Sequence, residues 1–148
     1  MYIIDPAIKQ DSARRWALPD RVFFAAGACH ILAYAFLERF PAAGFKPIWM
    51  KPRAGYVGNH IIVTDGAVAF DYHGYSRLPA LVAHAHAKAG RWWPGWSAEL
   101  IDLPVDVLVS ERKSRQYDGL WLREPQQYLR NALPRAHAFL ARFPGPTV

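Results

Sequence analysis

Cys29, His60 and Asp71 are the residues of this 148-residue chain whose types and spacing point to chemistry. Cys29 is the only cysteine. A single thiol forms no internal disulfide, which excludes the small disulfide-stapled secreted scaffold and leaves three roles: inert core residue, metal ligand or nucleophile. Small residues precede it (Ala25, Ala26, Gly27, Ala28), and an apolar run follows from His30 to Leu37. Apolar content would allow a helix from Arg21, but Gly27 disfavours a helix interior and moves the expected start to Cys29. In a first turn the thiol feels the positive end of the helix dipole and unpaired backbone N–H groups, both of which favour thiolate.

The partner groups follow from a turn. His60-Ile61-Ile62-Val63-Thr64 and Ala67-Val68-Ala69-Phe70-Asp71 flank Asp65-Gly66, and Asp-Gly between two β-rich runs predicts a two-residue hairpin. That register sets Thr64 opposite Ala67, Ile62 opposite Ala69 and His60 opposite Asp71. Directly opposed residues on one face have Cβ atoms about 4.5–5.5 Å apart. The carboxylate is then expected to accept from one imidazole N–H, fixing the tautomer and leaving the other nitrogen free. A thiol, an imidazole and a carboxylate so arranged form a nucleophile, its base and the group that orients the base.

The segments Gly27-Ala28-Cys29-His30 and Gly58-Asn59-His60-Ile61-Ile62-Val63, closed by Ala69-Phe70-Asp71, resemble the papain-like cysteine hydrolases. The resemblance is nearest to the compact bacterial NlpC-type and transglutaminase-like domains, and it covers roughly Arg21 to Tyr75. It implies an α+β domain of papain-like type over residues 1–148. Cys29 would be the nucleophile, His60 the general base and Asp71 the orienting group. The chemistry implied is hydrolysis or transfer at a peptide, isopeptide or side-chain amide through a thioester, with a protein or peptide as substrate and no metal or organic cofactor. The Cys29 backbone N–H serves as one oxyanion donor. Val22, Phe23 and Phe24, just upstream, provide no polar side chain for a second.

The elements that must position these groups can be read more coarsely. Asp20 to Phe40 is helical and ends at Pro41; its apolar character almost all round makes it the central, buried helix. Lys46 to Lys51 reads as a strand closed by Pro52, Leu78 to Ala89 as a helix ended by Gly90, and Glu99 to Leu103 as a strand. A last helix begins near Pro125 and runs towards Phe143, interrupted at Pro134. The expectation is a central apolar helix packed on an antiparallel sheet. In Arg91-Trp92-Trp93-Pro94-Gly95-Trp96, three tryptophans surround a Pro-Gly turn; Trp92, Trp93 and Trp96, with Tyr72, are expected either to wall a substrate cleft or to plug a loop onto the sheet.

Composition limits the remaining classes. Hydrophobic residues make up 52% and charged residues 20%, which excludes a disordered tail. No apolar run approaches the roughly 18 residues of a membrane span. Met1 to Gln10 shows no secretory leader, and with the lone cysteine this suggests a cytoplasmic protein. The net charge is +6, from 18 Lys and Arg against 12 Asp and Glu, but the basic residues are scattered. That balance permits nucleic acid without demanding it, and the alternative reading is a non-catalytic binding module with a basic, Trp-rich surface. A zinc site from Cys29, His30, His73, His84 and His86 is disfavoured, because His84 and His86 point apart on one helix.

Overall fold

The computed structural model describes residues 2–147. It is an α+β structure built on one five-stranded antiparallel sheet. Strands β1 (Lys46–Pro52), β2 (His60–Thr64), β3 (Val68–Asp71) and β4 (Gly74–Arg77) form a meander, and β5 (Ala98–Asp102) pairs with the free edge of β1. Four helices precede the sheet: α1 (Pro6–Lys9), α2 (Ser12–Trp16), α3 (Asp20–Ala25) and α4 (Cys29–Arg39). Helix α5 (Leu78–Trp92) joins β4 to β5, and α6 (Glu111–Ser114) and α7 (Ala132–Leu140) follow.

The expected helix over Asp20 to Phe40 is two helices. Gly27 adopts φ +114°, a conformation that L side chains rarely take, and the chain restarts at Cys29. Helix α4 is buried all round, with His30, Ile31, Leu32, Ala33, Ala35, Phe36 and Leu37 inside. It lies on the sheet face that presents Trp49, Ile61, Val63 and Phe70, and α7 packs beside it. The opposite face, Ile48, Met50, Ile62 and Ala69, is covered by Leu78, Leu81, Val82 and Ala85 of α5. Both faces of the central strands are therefore apolar, and β2 reads as a continuous hydrophobic run.

Three boundaries differ from expectation for local reasons. Helix α5 passes through Gly90, which keeps a helical backbone, and ends at Trp92; the positive φ needed to turn the chain falls at Gly95. Pro134 does not break the last helix. Asn131 caps it by accepting from the Leu133 N–H, so Pro134 sits in the first turn, where a missing N–H costs little. Pro125 instead opens a separate single 3₁₀ turn, Pro125–Gln127. Strand β4 carried no signal in the sequence: it follows a tight turn at Tyr72-His73, with Gly74 at φ +94°.

The β2–β3 connection is also corrected. A two-residue turn of the expected type needs positive φ at both central residues, and only Gly66 has it. Asp65 Oδ1 instead accepts from the N–H groups of Ala67 and Val68, and Thr64 Oγ1 accepts from Gly66 and donates to the Val68 carbonyl. These side-chain bonds hold a four-residue loop. Thr64 thus pairs with Ala69 and Val63 with Phe70. The register is displaced by two residues, which keeps His60 and Asp71 on one face but makes them diagonal neighbours rather than directly opposite.

Candidate active site

Cys29 is the first residue of α4, and no side chain caps the N–H groups of that turn. It is half-buried at the foot of an open cleft of about 250 Å³. His60 starts β2 and Asp71 ends β3, and their side chains span the diagonal: His60 Nε2 lies 2.9 Å from Asp71 Oδ2. Since an ionised carboxylate only accepts, His60 donates through Nε2, leaving Nδ1 for the thiol. The Asp71 side chain is almost wholly buried and serves a second imidazole. His73 donates its backbone N–H to Oδ1 at 2.8 Å, and its Nδ1 stands 3.2 Å from the same oxygen.

The charges of the three groups are coupled. Burial alone pushes the Cys29 thiol up, but hydrogen bonding to His30 and His60 outweighs it and brings the thiol down from 9.0 to about 5. Burial alone pushes the His60 imidazole down; its bonds to Asp71 and Cys29 reverse that and raise it to about 9. Asp71 is lifted by burial and lowered further by His60 and His73, which hold its carboxyl well below the usual carboxylate range. Between those limits the arrangement favours thiolate beside imidazolium, the charge state a thiol nucleophile uses.

Sequence reasoning weighed His30 only as a metal ligand and missed Asn59 and Tyr128, which also build this site. His30 is buried directly after Cys29 and interacts with the thiol; its Nε2 donates to the Arg123 carbonyl at 2.7 Å. Asn59 accepts from Trp49 Nε1 at 3.0 Å and donates to the Gly119 carbonyl at 2.9 Å, tying the start of β2 to the loop that forms the far wall of the cleft. Tyr128 donates to the Gly27 carbonyl at 2.6 Å and so anchors the approach to Cys29. Adjacency to Cys29 and His60 was the only signal for His30 and Asn59, and Tyr128 had none, because the contacts of His30 with Arg123, Asn59 with Gly119 and Gly27 with Tyr128 join the site to the last third of the chain.

None of Trp92, Trp93, Trp96 and Tyr72 lines the open cleft that holds Cys29. Tyr72 is 2% exposed and packs edge-on to His60 with ring centroids 5.6 Å apart, beneath the site rather than around it. Trp96 is 4% exposed, and its Nε1 donates to the Val57 carbonyl. Both border a small cavity behind His60 and Asp71. Trp92 and Trp93 pack on one another and do not line the cleft at Cys29. The tryptophan that does is Trp121, 67% exposed, with the Arg115 guanidinium 4.4 Å from its ring centroid.

Among the described residues no His, Cys, Asp or Glu cluster is arranged to hold a metal ion, and no helix is long and apolar enough to cross a membrane. Compared with protein-family models, with curated proteins and with solved structures, the chain matches none.

Proposed function

We propose that this chain is a papain-like cysteine hydrolase or acyltransferase acting on an amide. The observation that carries the reading is a thiol at an uncapped helix start, coupled to an imidazole that a buried carboxylate orients. Fold resemblance alone would not support an activity; the site does.

In this mechanism the Cys29 thiolate attacks the amide carbonyl carbon. A C–S bond forms, and the π electrons move to oxygen, where the Cys29 backbone N–H and the positive end of α4 stabilise them. Imidazolium at His60 gives its proton to the departing nitrogen. The C–N bond breaks, the amine leaves and a thioester remains. Water then attacks, or an amine in the transfer reaction, with His60 taking its proton. The C–S bond breaks and the thiolate is restored. Asp71 keeps Nδ1 of His60 aimed at sulfur throughout and stabilises the imidazolium.

The test is to trap the thioester. An activated acyl ester should add one acyl mass to the protein, at Cys29 and labile to neutral hydroxylamine, and His60→Ala should slow this by about 10²–10⁴-fold, the usual contribution of a positioned acid–base group. Acylation that is absent at Cys29, or equally fast in both proteins, sinks the proposal.

A further inference from the structure

Three arginines are half-buried, and they differ in what they meet: Arg15, Arg123 and Arg135. Arg135 is fully engaged, donating to Asp20 at 2.8 Å and to the Trp16 and Leu18 carbonyls at 2.7 Å each. Arg15 and Arg123 have no carboxylate partner among the described residues. Removing a guanidinium from water without a carboxylate to pair with is unfavourable, and two side by side compound the cost.

Both also converge. Their guanidinium carbons lie 5.9 and 5.8 Å from the centroid of the same ring, Tyr128, and both residues line the cleft that holds Cys29. Arg15 is depressed by burial and by the charge of Arg123, against the opposing pull of Tyr128 and of the Cys29 thiolate. Of its five N–H donors, one reaches the Ala26 carbonyl, at a long 3.4 Å. No buried side-chain nitrogen among the described residues lacks a partner, so the remaining donors are open to solvent, and both arginines line the cleft. The backbone makes room for this placement. A Cβ on Gly27 would fall 1.7 Å from Arg15 Nη2, so a side chain there, two residues before the thiol, would displace the guanidinium.

We propose that Arg15 and Arg123 receive a carboxylate of the substrate, so that the amides acted on are acidic ones, bearing a free carboxylate next to the bond that Cys29 attacks. Guanidinium forks match a planar carboxylate and bind it bidentately. The exposed face of Trp121 provides apolar contact beside them. This rests on the reading of Cys29 as nucleophile, but binding of the carboxylate can be measured without the thiol.

The experiment is therefore done in Cys29→Ala. Benzoate and benzamide, which differ in a carboxylate against a neutral amide, are titrated while following the Trp121 indole and arginine side-chain NMR signals. The expected result is a saturable shift with benzoate, at least tenfold weaker with benzamide. Arg123→Gln should weaken benzoate at least fivefold and Arg123→Lys by less, and Arg15→Gln serves as the second variant should Arg123→Gln fail to fold. Equal response to both ligands, or benzoate binding untouched by either Gln variant, overturns the anion site. If benzoate binds as expected but wild-type Cys29 is never acylated, the anion site stands and the enzyme reading falls. If Cys29 is acylated but benzoate does not bind, the reverse holds.

Discussion

The cleft around Cys29 and the Trp92–Trp96 segment differ in how their polar atoms are satisfied. At Cys29, a thiol, two imidazoles and a buried carboxylate lean on one another, and each of Cys29, His60 and Asp71 is moved far from its ordinary protonation range as a result. Two arginines in the same cleft lack carboxylate partners among the described residues. In the tryptophan segment, Tyr56 closes onto the Pro94 carbonyl, Trp96 onto the Val57 carbonyl, and the Trp93 N–H onto Ala89. Aromatic density made that segment conspicuous, but its hydrogen bonds are spent inside the fold. Reactive potential sits where charges depend on one another.

Breaking the thiol side should have the largest effect. Cys29→Ser should abolish acylation outright, read by intact mass. His60→Ala removes one of the two imidazoles that lower the thiol, His30 being the other, so the thiol rises from about 5 towards 9.0. The midpoint of the pH dependence of iodoacetamide alkylation should move up accordingly, and an unmoved midpoint contradicts the coupling.

Asp71→Asn tests the orienting group, with a sign that pH exposes. A carboxyl held below its usual range in the fold stabilises the protein above its unfolded value and stops doing so as pH falls through the folded one. The Tm gap between wild type and Asp71→Asn should therefore shrink below about pH 4, the ordinary carboxylate value, and again as pH rises from about 6.5 towards 9, where His60 loses the charge that Asp71 stabilises. A gap independent of pH down to pH 2 means the carboxylate is not held by His60 and His73.

Gly27→Ala tests the backbone turn that leads into Cys29. The positive φ alone should cost about 1–3 kcal/mol, checked by chemical denaturation, with the flexible guanidinium of Arg15 moving aside. No loss of stability would mean that the backbone does not hold Gly27 at positive φ. The smallest effects belong to the other region. Trp92 is 39% exposed, and Trp92→Ala should change stability by no more than about 0.5 kcal/mol and leave Cys29 alkylation unchanged. A slowed reaction would put the segment back at the site.

Much of this was legible in the sequence because it depends on neighbours along the chain. Gly27 marks the helix start, and the alternation of β2 and β3 puts His60 and Asp71 on one face whether their loop has two residues or four. The loop itself was misread because Asp65 and Thr64 side chains compete with the Asp-Gly turn for the same backbone groups. The far wall of the cleft was illegible for another reason. His30 meets Arg123 at a separation of 93 residues and Gly27 meets Tyr128 at 101, and no local pattern encodes such a meeting.

The pH dependence of Cys29 alkylation tests the coupled site most directly. With iodoacetamide and intact-mass detection from pH 4 to 10, the rate should rise with a midpoint near 5 and hold a plateau towards about 9, where His60 loses its proton. Turnover, which also needs the imidazolium, should be bell-shaped between the same limits. A single rise centred near 9, as for an isolated thiol, would contradict the coupling of Cys29 to His60 and with it the proposed chemistry.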